Sequence, residues 1–131
     1  MIVLDTHTWV WFVSDPANLS GAAKHAIESS ISHNGLFISS ISVWEVALLV
    51  AKKRMAFSMD VVDWISMSER MSFFQFVPID NRVALKSVHL PQPIHQDPAD
   101  RIIIATAIVL GAPVVTKDVK LLKYPHVETI W

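Results

Sequence analysis

The stretch MIVLDTHTWVWF, residues 1–12, decides the fold. Ile2, Val3 and Leu4 form a short apolar run with no polar alternation, as in a strand covered on both faces. The run ends in Asp5. Thr6, His7 and Thr8 follow, and the chain turns apolar again at Trp9-Val10-Trp11-Phe12. A buried strand rarely ends in an unpaired carboxylate, because burying charge is costly unless it is paired or ligated. Asp5 therefore asks for surroundings that the rest of the chain must supply.

Working outward, the same pattern recurs. Thr6 to Val13 reads as a helix stopped by Ser14-Asp15-Pro16, and Ser20 caps a helix reaching Ile31. Asn34-Gly35 marks a turn before a second strand, Leu36-Phe37-Ile38. Serines 39, 40 and 42 lead into the helix VWEVALLVAKK (43–53), which closes on the basic cluster Lys52-Lys53-Arg54. Asp60 caps a helix through Met71, Phe74 to Ile79 reads as a third strand, and Asp80 opens a helix through Val88. Leu90-Pro91-Gln92-Pro93 is loop, and DPADRIIIATAIVLG (97–111) is a helix with a cap at one end and Gly111 at the other. Pro113 to Thr116 is a fourth strand, Asp118 to Lys123 a short helix, and Val127 to Ile130 an edge strand. Short, wholly apolar strands separated by helices define an α/β fold with a central, mostly parallel sheet of four to five strands. Residues 1–131 read as one domain, without repeats or a linker.

The composition narrows the function. The chain is 52% hydrophobic and 18% charged, with a mean hydropathy of +0.40. Its longest apolar run, Ile102 to Val115, is broken by Thr106, Gly111 and Pro113 and falls short of the ~20 residues that span a bilayer. The N-terminal stretch has no basic region and is broken by Asp5, so it does not read as a signal peptide. The absence of cysteine excludes disulfides and thiolate metal sites and suits a reducing cytoplasm. A net charge of -1 argues against a sequence-independent nucleic-acid coat. It leaves open an enzyme that handles nucleic acid through bound metal. The excess hydrophobicity suits a sheet covered on both faces together with an apolar patch for a partner.

Four acids stand out by position: Asp5 after the first strand, Glu45 and Asp100 in the first turns of two helices, and Asp118 after the fourth strand. The carboxyl ends of parallel strands share one edge, where ligands bind. Carboxylates gathered there repel one another unless a cation holds them, and oxygen ligands without thiolate suit Mg²⁺ or Mn²⁺. Such ions activate water and stabilise phosphodiester displacement. Several of these acids, though not Asp5, also have a plainer reading. Ser42-x-x-Glu45 has the form of a capping box, Asp97-Pro98 of an N-cap followed by proline, and Asp118 of a cap on the next helix. His7 and His95 are candidate ligands or supports, Thr6 and Thr116 candidate orienting hydroxyls. Lys52, Lys53, Arg54, Arg101 and Lys117 are candidate phosphate clamps, with Arg101 alternatively pairing a site carboxylate.

The segments IVLDTHTWVW (2–11), SSISVWEVALL (39–49), DPADRIIIATA (97–107) and VVTKDVKLL (114–122) lie in an order that resembles a PIN domain. The likeness is specifically to the VapC-like toxins of bacterial toxin–antitoxin pairs. The resemblance implies a three-layer α/β/α domain and a Mg²⁺- or Mn²⁺-dependent ribonuclease, with an antitoxin partner and a homodimer. Carried over by motif, Asp5, Glu45, Asp100 and Asp118 are the metal-holding, catalytic acids. Asp97, Thr6, Thr116 and Arg101 stand behind them, and no motif is broken. If the toxin likeness holds, Trp44, Met59, Trp64 and Met67 contribute to a groove for an antitoxin helix.

Other readings compete. A phosphatase forming a phospho-aspartate on Asp5 needs a second acid two residues on, where this chain has His7. A receiver-like signalling module needs an early acidic pair and a late strand-end lysine, and only Lys117 approaches that pattern. A non-catalytic interaction domain leaves Asp5 without an explanation.

Overall fold

The computed structural model describes residues 1–131. Five strands, β1 (Ile2–Leu4), β2 (Leu36–Ser39), β3 (Phe74–Val77), β4 (Val114–Val115) and β5 (Thr129–Ile130), form one sheet in the order β3-β2-β1-β4-β5. Every pairing is parallel, including the short edge pair of β4 with β5. The expected α/β architecture is therefore present, with a sheet parallel throughout rather than mostly so.

Seven helices cover it: α1 (Thr6–Ser14), α2 (Gly21–Ile31), α3 (Ser40–Ala51), α4 (Val61–Glu69), α5 (Asn81–Val88), α6 (Pro98–Leu110) and α7 (Val119–Leu122). The two-residue period of the strands feeds two cores. Ile2 and Leu4 point to a core built with Trp9, Ile27, Val46 and Trp64 from α1 to α4. Val3 and Val114 point to the opposite core, with Val83, Ile103, Ile104 and Leu121 from α5 to α7. Helices on both faces explain why the strands lack polar alternation. No helix is long and apolar enough to cross a membrane.

Aspartate is the usual N-cap here. The side chains of Asp5, Asp60, Asp80, Asp97 and Asp118 each accept a backbone N–H of the helix that follows. At the other end of α6, Gly111 takes φ +68°, and the Ala112 N–H donates to the Ala107 carbonyl at 2.9 Å. That left-handed closure favours glycine.

Two sequence expectations need correction. The helix after β2 starts earlier than its apolar run. Ser39 is its cap, its hydroxyl accepting the Ile41 N–H at 3.2 Å. Glu45 consequently lies in the second turn, and the Ser42–Glu45 pair is not a capping box. Trp64 does not face a partner. It is 2% exposed, stacked on Phe57 with centroids 4.3 Å apart, and its Nε1 donates to Ser14 Oγ at 2.8 Å. Met67 packs against the same core. Trp44 (56% exposed) and Met59 remain at the surface.

Candidate active site

The chain builds the sheet outward from β1 through β2 to β3, then returns to the other side of β1 with β4 and β5. The crevice at such a reversal, beyond the carboxyl ends of the strands, is where open α/β sheets bind ligands. Asp5 follows β1 directly, and Thr116 follows β4.

Asp5 is only 7% exposed. Its Oδ1 accepts the Thr6 N–H at 2.8 Å, and its Oδ2 accepts the Thr116 hydroxyl at 2.7 Å. The Thr116 oxygen in turn accepts the Asp118 N–H at 3.0 Å. Thr6 donates its hydroxyl to Glu45 Oε1 at 2.6 Å and lies 2.8 Å from Ser42 Oγ. A hydroxyl has one proton to give, so Ser42 is the donor to Thr6. A relay from Ser42 through Thr6 thus fixes Glu45 from α3. Asp100, in the first turn of α6, has its own N–H accepted by Asp97 Oδ1 at 3.1 Å, while its Oδ2 meets His95 Nε2 at 2.8 Å.

Burial sets the electrostatics. It pushes the Asp5 carboxyl up from its ordinary value, against hydrogen bonds from Thr116 and the Thr6 N–H that pull it down. Burial, then the charges of Asp5, Asp100 and Asp97, raise Glu45 to about 7, although the Thr6 hydroxyl opposes the rise. Burial, then Asp97, Asp5 and Asp118, raise Asp100 to about 6, against the bond from His95. The only basic side chain in contact with these acids is His95, through Asp100, and no lysine or arginine pairs with them.

This donor set fits a divalent cation. It is all oxygen apart from imidazole, and no lysine or arginine pairs with its carboxylates. The side chains as they stand do not close three Asp, Glu or His ligands around one point. Mg²⁺ does not require such a shell, since it is commonly held by one or two carboxylates with water and phosphate oxygens completing the rest.

The remaining sequence candidates divide. Asp118 lines an open cleft of about 340 Å³ with Asp5, His7, Trp11 and Lys117. Its Oδ1 also accepts the Lys120 N–H at 2.8 Å, so it caps α7. Asp97 caps α6 beside Asp100. Arg101 is a correction: it neither pairs with a carboxylate nor faces the cleft. Its Nε donates to the Ser87 carbonyl at 3.0 Å and its guanidinium to the Val88 carbonyl at 3.3 Å, closing the end of α5. Such carbonyls lack helical partners and attract a cation. Lys52, Lys53 and Arg54 lie at the far end of α3, about 10 Å along its axis from Glu45 at 1.5 Å per residue. Ser42 escaped the sequence reading because its spacing to Glu45 imitates a cap. Trp11 also escaped it, although its position one turn after His7 on α1 was a usable signal.

An all-parallel sheet with buried acids gathered at its reversal is the arrangement that the resemblance to a PIN domain implies. The chain belongs to the PIN domain family, whose model matches residues 2–127. It is 36% identical over 132 residues to Ribonuclease VapC22 of Mycobacterium tuberculosis (strain ATCC 25618 / H37Rv), covering 99% of this chain and 98% of that protein. Several solved structures share the fold, two of them as follows. VapBC2 from Rickettsia felis, bound to a DNA fragment from their promoter, has a TM-score of 0.71 at 18% identity, covering 98% of this chain and 97% of that one. FitAcB from Neisseria gonorrhoeae has a TM-score of 0.67 at 23% identity, covering 98% and 96%.

Proposed function

We propose that the protein is a Mg²⁺- or Mn²⁺-dependent endoribonuclease of the cytoplasm, hydrolysing RNA phosphodiester bonds as the toxin of a toxin–antitoxin pair. One observation carries the reading: Asp5, Glu45 and Asp100, from three different elements, are gathered at the reversal of the sheet with no lysine or arginine paired to them. The ribonuclease named among its relatives supports the activity, and the toxin–antitoxin complex from Klebsiella pneumoniae among its structural neighbours supports the role.

Asp5, Glu45 and Asp100 would hold the cation, with Asp118 at the mouth of the cleft. When bound, the cation supplies Lewis-acid stabilisation to phosphate oxygens and makes water a better nucleophile. The protein's own part is positional. Thr116 and the Thr6 N–H fix both oxygens of Asp5, so the carboxylate does not rotate. Thr6 occupies Oε1 of Glu45 as a donor, which fixes that carboxylate from α3. His95 holds Asp100 from behind.

The partners in this proposal are RNA, a cognate antitoxin protein and a second copy of the chain. Exposed Trp44 and Met59 are the apolar residues offered to the antitoxin. The test is cleavage of RNA by purified protein with Mg²⁺, with Mn²⁺ and with EDTA, beside Asp5→Asn and Asp100→Asn. Metal-dependent cutting by the wild type alone is the expected result. Cutting that survives EDTA and both substitutions, or folded protein that neither cuts nor binds Mn²⁺, refutes it.

A further inference from the structure

The last three lysines of the chain, Lys117, Lys120 and Lys123, are set three residues apart along and beside α7. Lys117 lines the acidic cleft with Asp118. Lys120 and Lys123 line a different cavity, of about 280 Å³, together with Pro93, Ile94, His95 and Tyr124. Both lysines are exposed, and neither pairs with a carboxylate. The wall facing them is fixed at three points. Leu90 is buried in the core between α5, α6 and α7. Buried Tyr124 donates its hydroxyl to the Pro91 carbonyl at 2.8 Å. His95 Nε2 meets Asp100 Oδ2 at 2.8 Å. The cavity is therefore formed before anything enters it. The imidazole of His95 is its partition from the site, with the cavity on one side and Asp100 on the other.

We propose that the cavity walled by Lys120, Lys123 and His95 is a phosphate subsite, which takes a backbone phosphate of the RNA beside the scissile one. The proposal rests on the ribonuclease reading and adds to it a second point of hold on the strand, outside the acidic cleft. Lysines three apart on a helix are neighbours, and like charges so placed repel. An anion between them relieves that repulsion. Lone exposed lysines such as Lys24 on α2 and Lys86 on α5 are ordinary solvated surface. Lys120 and Lys123 differ in sharing one preformed cavity. Phosphate is favoured over a protein carboxylate by position: the cavity lies one imidazole ring from Asp100, where the strand being cut must pass. The acids themselves repel a phosphate backbone, so its attraction has to come from cations set apart from them. A phosphate contact is blind to sequence and fixes the register of the strand.

The experiment uses the full chain and a short fluorescent RNA that the wild type cuts at one bond, with each phosphate in turn replaced by an uncharged methylphosphonate. Binding is measured in EDTA for the wild type and for three double variants: Lys120→Ala/Lys123→Ala, Lys120→Arg/Lys123→Arg and Lys24→Ala/Lys86→Ala. All four lysines are exposed, so these variants should fold. The Lys120→Ala/Lys123→Ala pair should bind the unmodified RNA roughly tenfold more weakly, the worth of one hydrogen bond to a charged group. Its log–log salt slope should fall by about 0.7, one single-strand phosphate. The arginine pair should keep both. One methylphosphonate beside the scissile position should weaken the wild type by the same factor and the alanine pair no further, since both changes remove one contact. With Mg²⁺, the alanine pair should lose kcat/KM through KM. Wild-type affinity and slope in the alanine pair overturn the subsite. So does an equal loss in Lys24→Ala/Lys86→Ala, which would make the effect one of net charge. Methylphosphonate losses that add in full at every position overturn it too, as does normal RNA binding with weakened binding of the cognate antitoxin. A wild type that cuts RNA while the alanine pair matches it defeats the subsite alone, whereas a wild type that neither binds nor cuts any RNA defeats the ribonuclease reading with it.

Discussion

Glu45→Gln should make the metal-free protein more stable at pH 8. In the folded chain the carboxyl is raised from its ordinary 4.5 to about 7, first by burial and then by neighbouring acids. A raised carboxyl favours the folded state while protonated. Its contribution is complete below the unfolded value, near pH 4.5, and is lost as pH climbs through the folded value, near 7. A tenfold change in proton affinity is about 1.4 kcal/mol, so the full swing from Glu45 is about 3.5 kcal/mol at most, before solvent screening of a partly exposed group reduces it. Glutamine keeps an oxygen for the Thr6 hydroxyl and removes the charge. Allowing for relaxation and shared repulsion, the gain at pH 8 should be about 1–3 kcal/mol, or roughly 4–12 °C in Tm for a chain of this size. The assay is thermal unfolding by circular dichroism in EDTA from pH 4.5 to 8. The wild type should lose stability across that range more steeply than Glu45→Gln, and Mn²⁺ should restore the wild type selectively. Parallel pH profiles for the two proteins would refute the reasoning. The same substitution should abolish metal-dependent RNA cleavage, so stability and activity would move in opposite directions.

Cation binding should displace protons from Glu45 and Asp100, whose values of about 7 and about 6 leave roughly one proton between them at pH 6.5. Mn²⁺ titration calorimetry in buffers of different ionisation enthalpy should read that release and find almost none at pH 8.5. Thr116→Val removes a donor from buried Asp5 and should cost about 1–3 kcal/mol in urea unfolding, more at pH 8 than at pH 4. Trp64→Ala should cost about 3–5 kcal/mol as a core truncation. Trp44→Ala should stay within about 0.5 kcal/mol, as a surface change, and its effect should fall on antitoxin affinity instead.

The sheet was legible because burial on both faces removes polar alternation and leaves runs such as Ile2-Val3-Leu4 and Val114-Val115, which differ from the apolar runs of α3 and α6 in their shortness and in the turn residues beside them. Asp5 was legible as a candidate for a related reason: burial makes a charged residue conspicuous. The plain signal of an acid at a strand end is weaker than it looks, since five aspartates of this chain cap helices. Glu45 and Asp100 differ in serving no cap, and that distinction needs the true helix starts. Ser39 outcompeted Ser42 as the cap of α3, a choice among neighbouring serines that backbone geometry makes and spacing does not. The direction of a long side chain was the least legible. Arg101 follows Asp100 in sequence, yet its guanidinium reaches the end of α5. Trp44 and Trp64 look alike in an apolar context, and only the phase of each helix against the sheet sends one outward and the other into the core.

The bond between Thr116 and Asp5 joins residues 111 apart in the chain, and β4 reaches β1 across a comparable interval. At a synthesis rate of roughly 5–20 residues per second, Asp5 waits roughly 6 to 22 s for the residue that immobilises it. Contacts so distant in sequence form late in folding. A nascent or truncated chain lacking β4 carries Asp5, Glu45 and Asp100 without the strand that anchors Asp5. For an enzyme that attacks RNA, this order of assembly withholds the finished cleft until β4 has been made and has paired with β1.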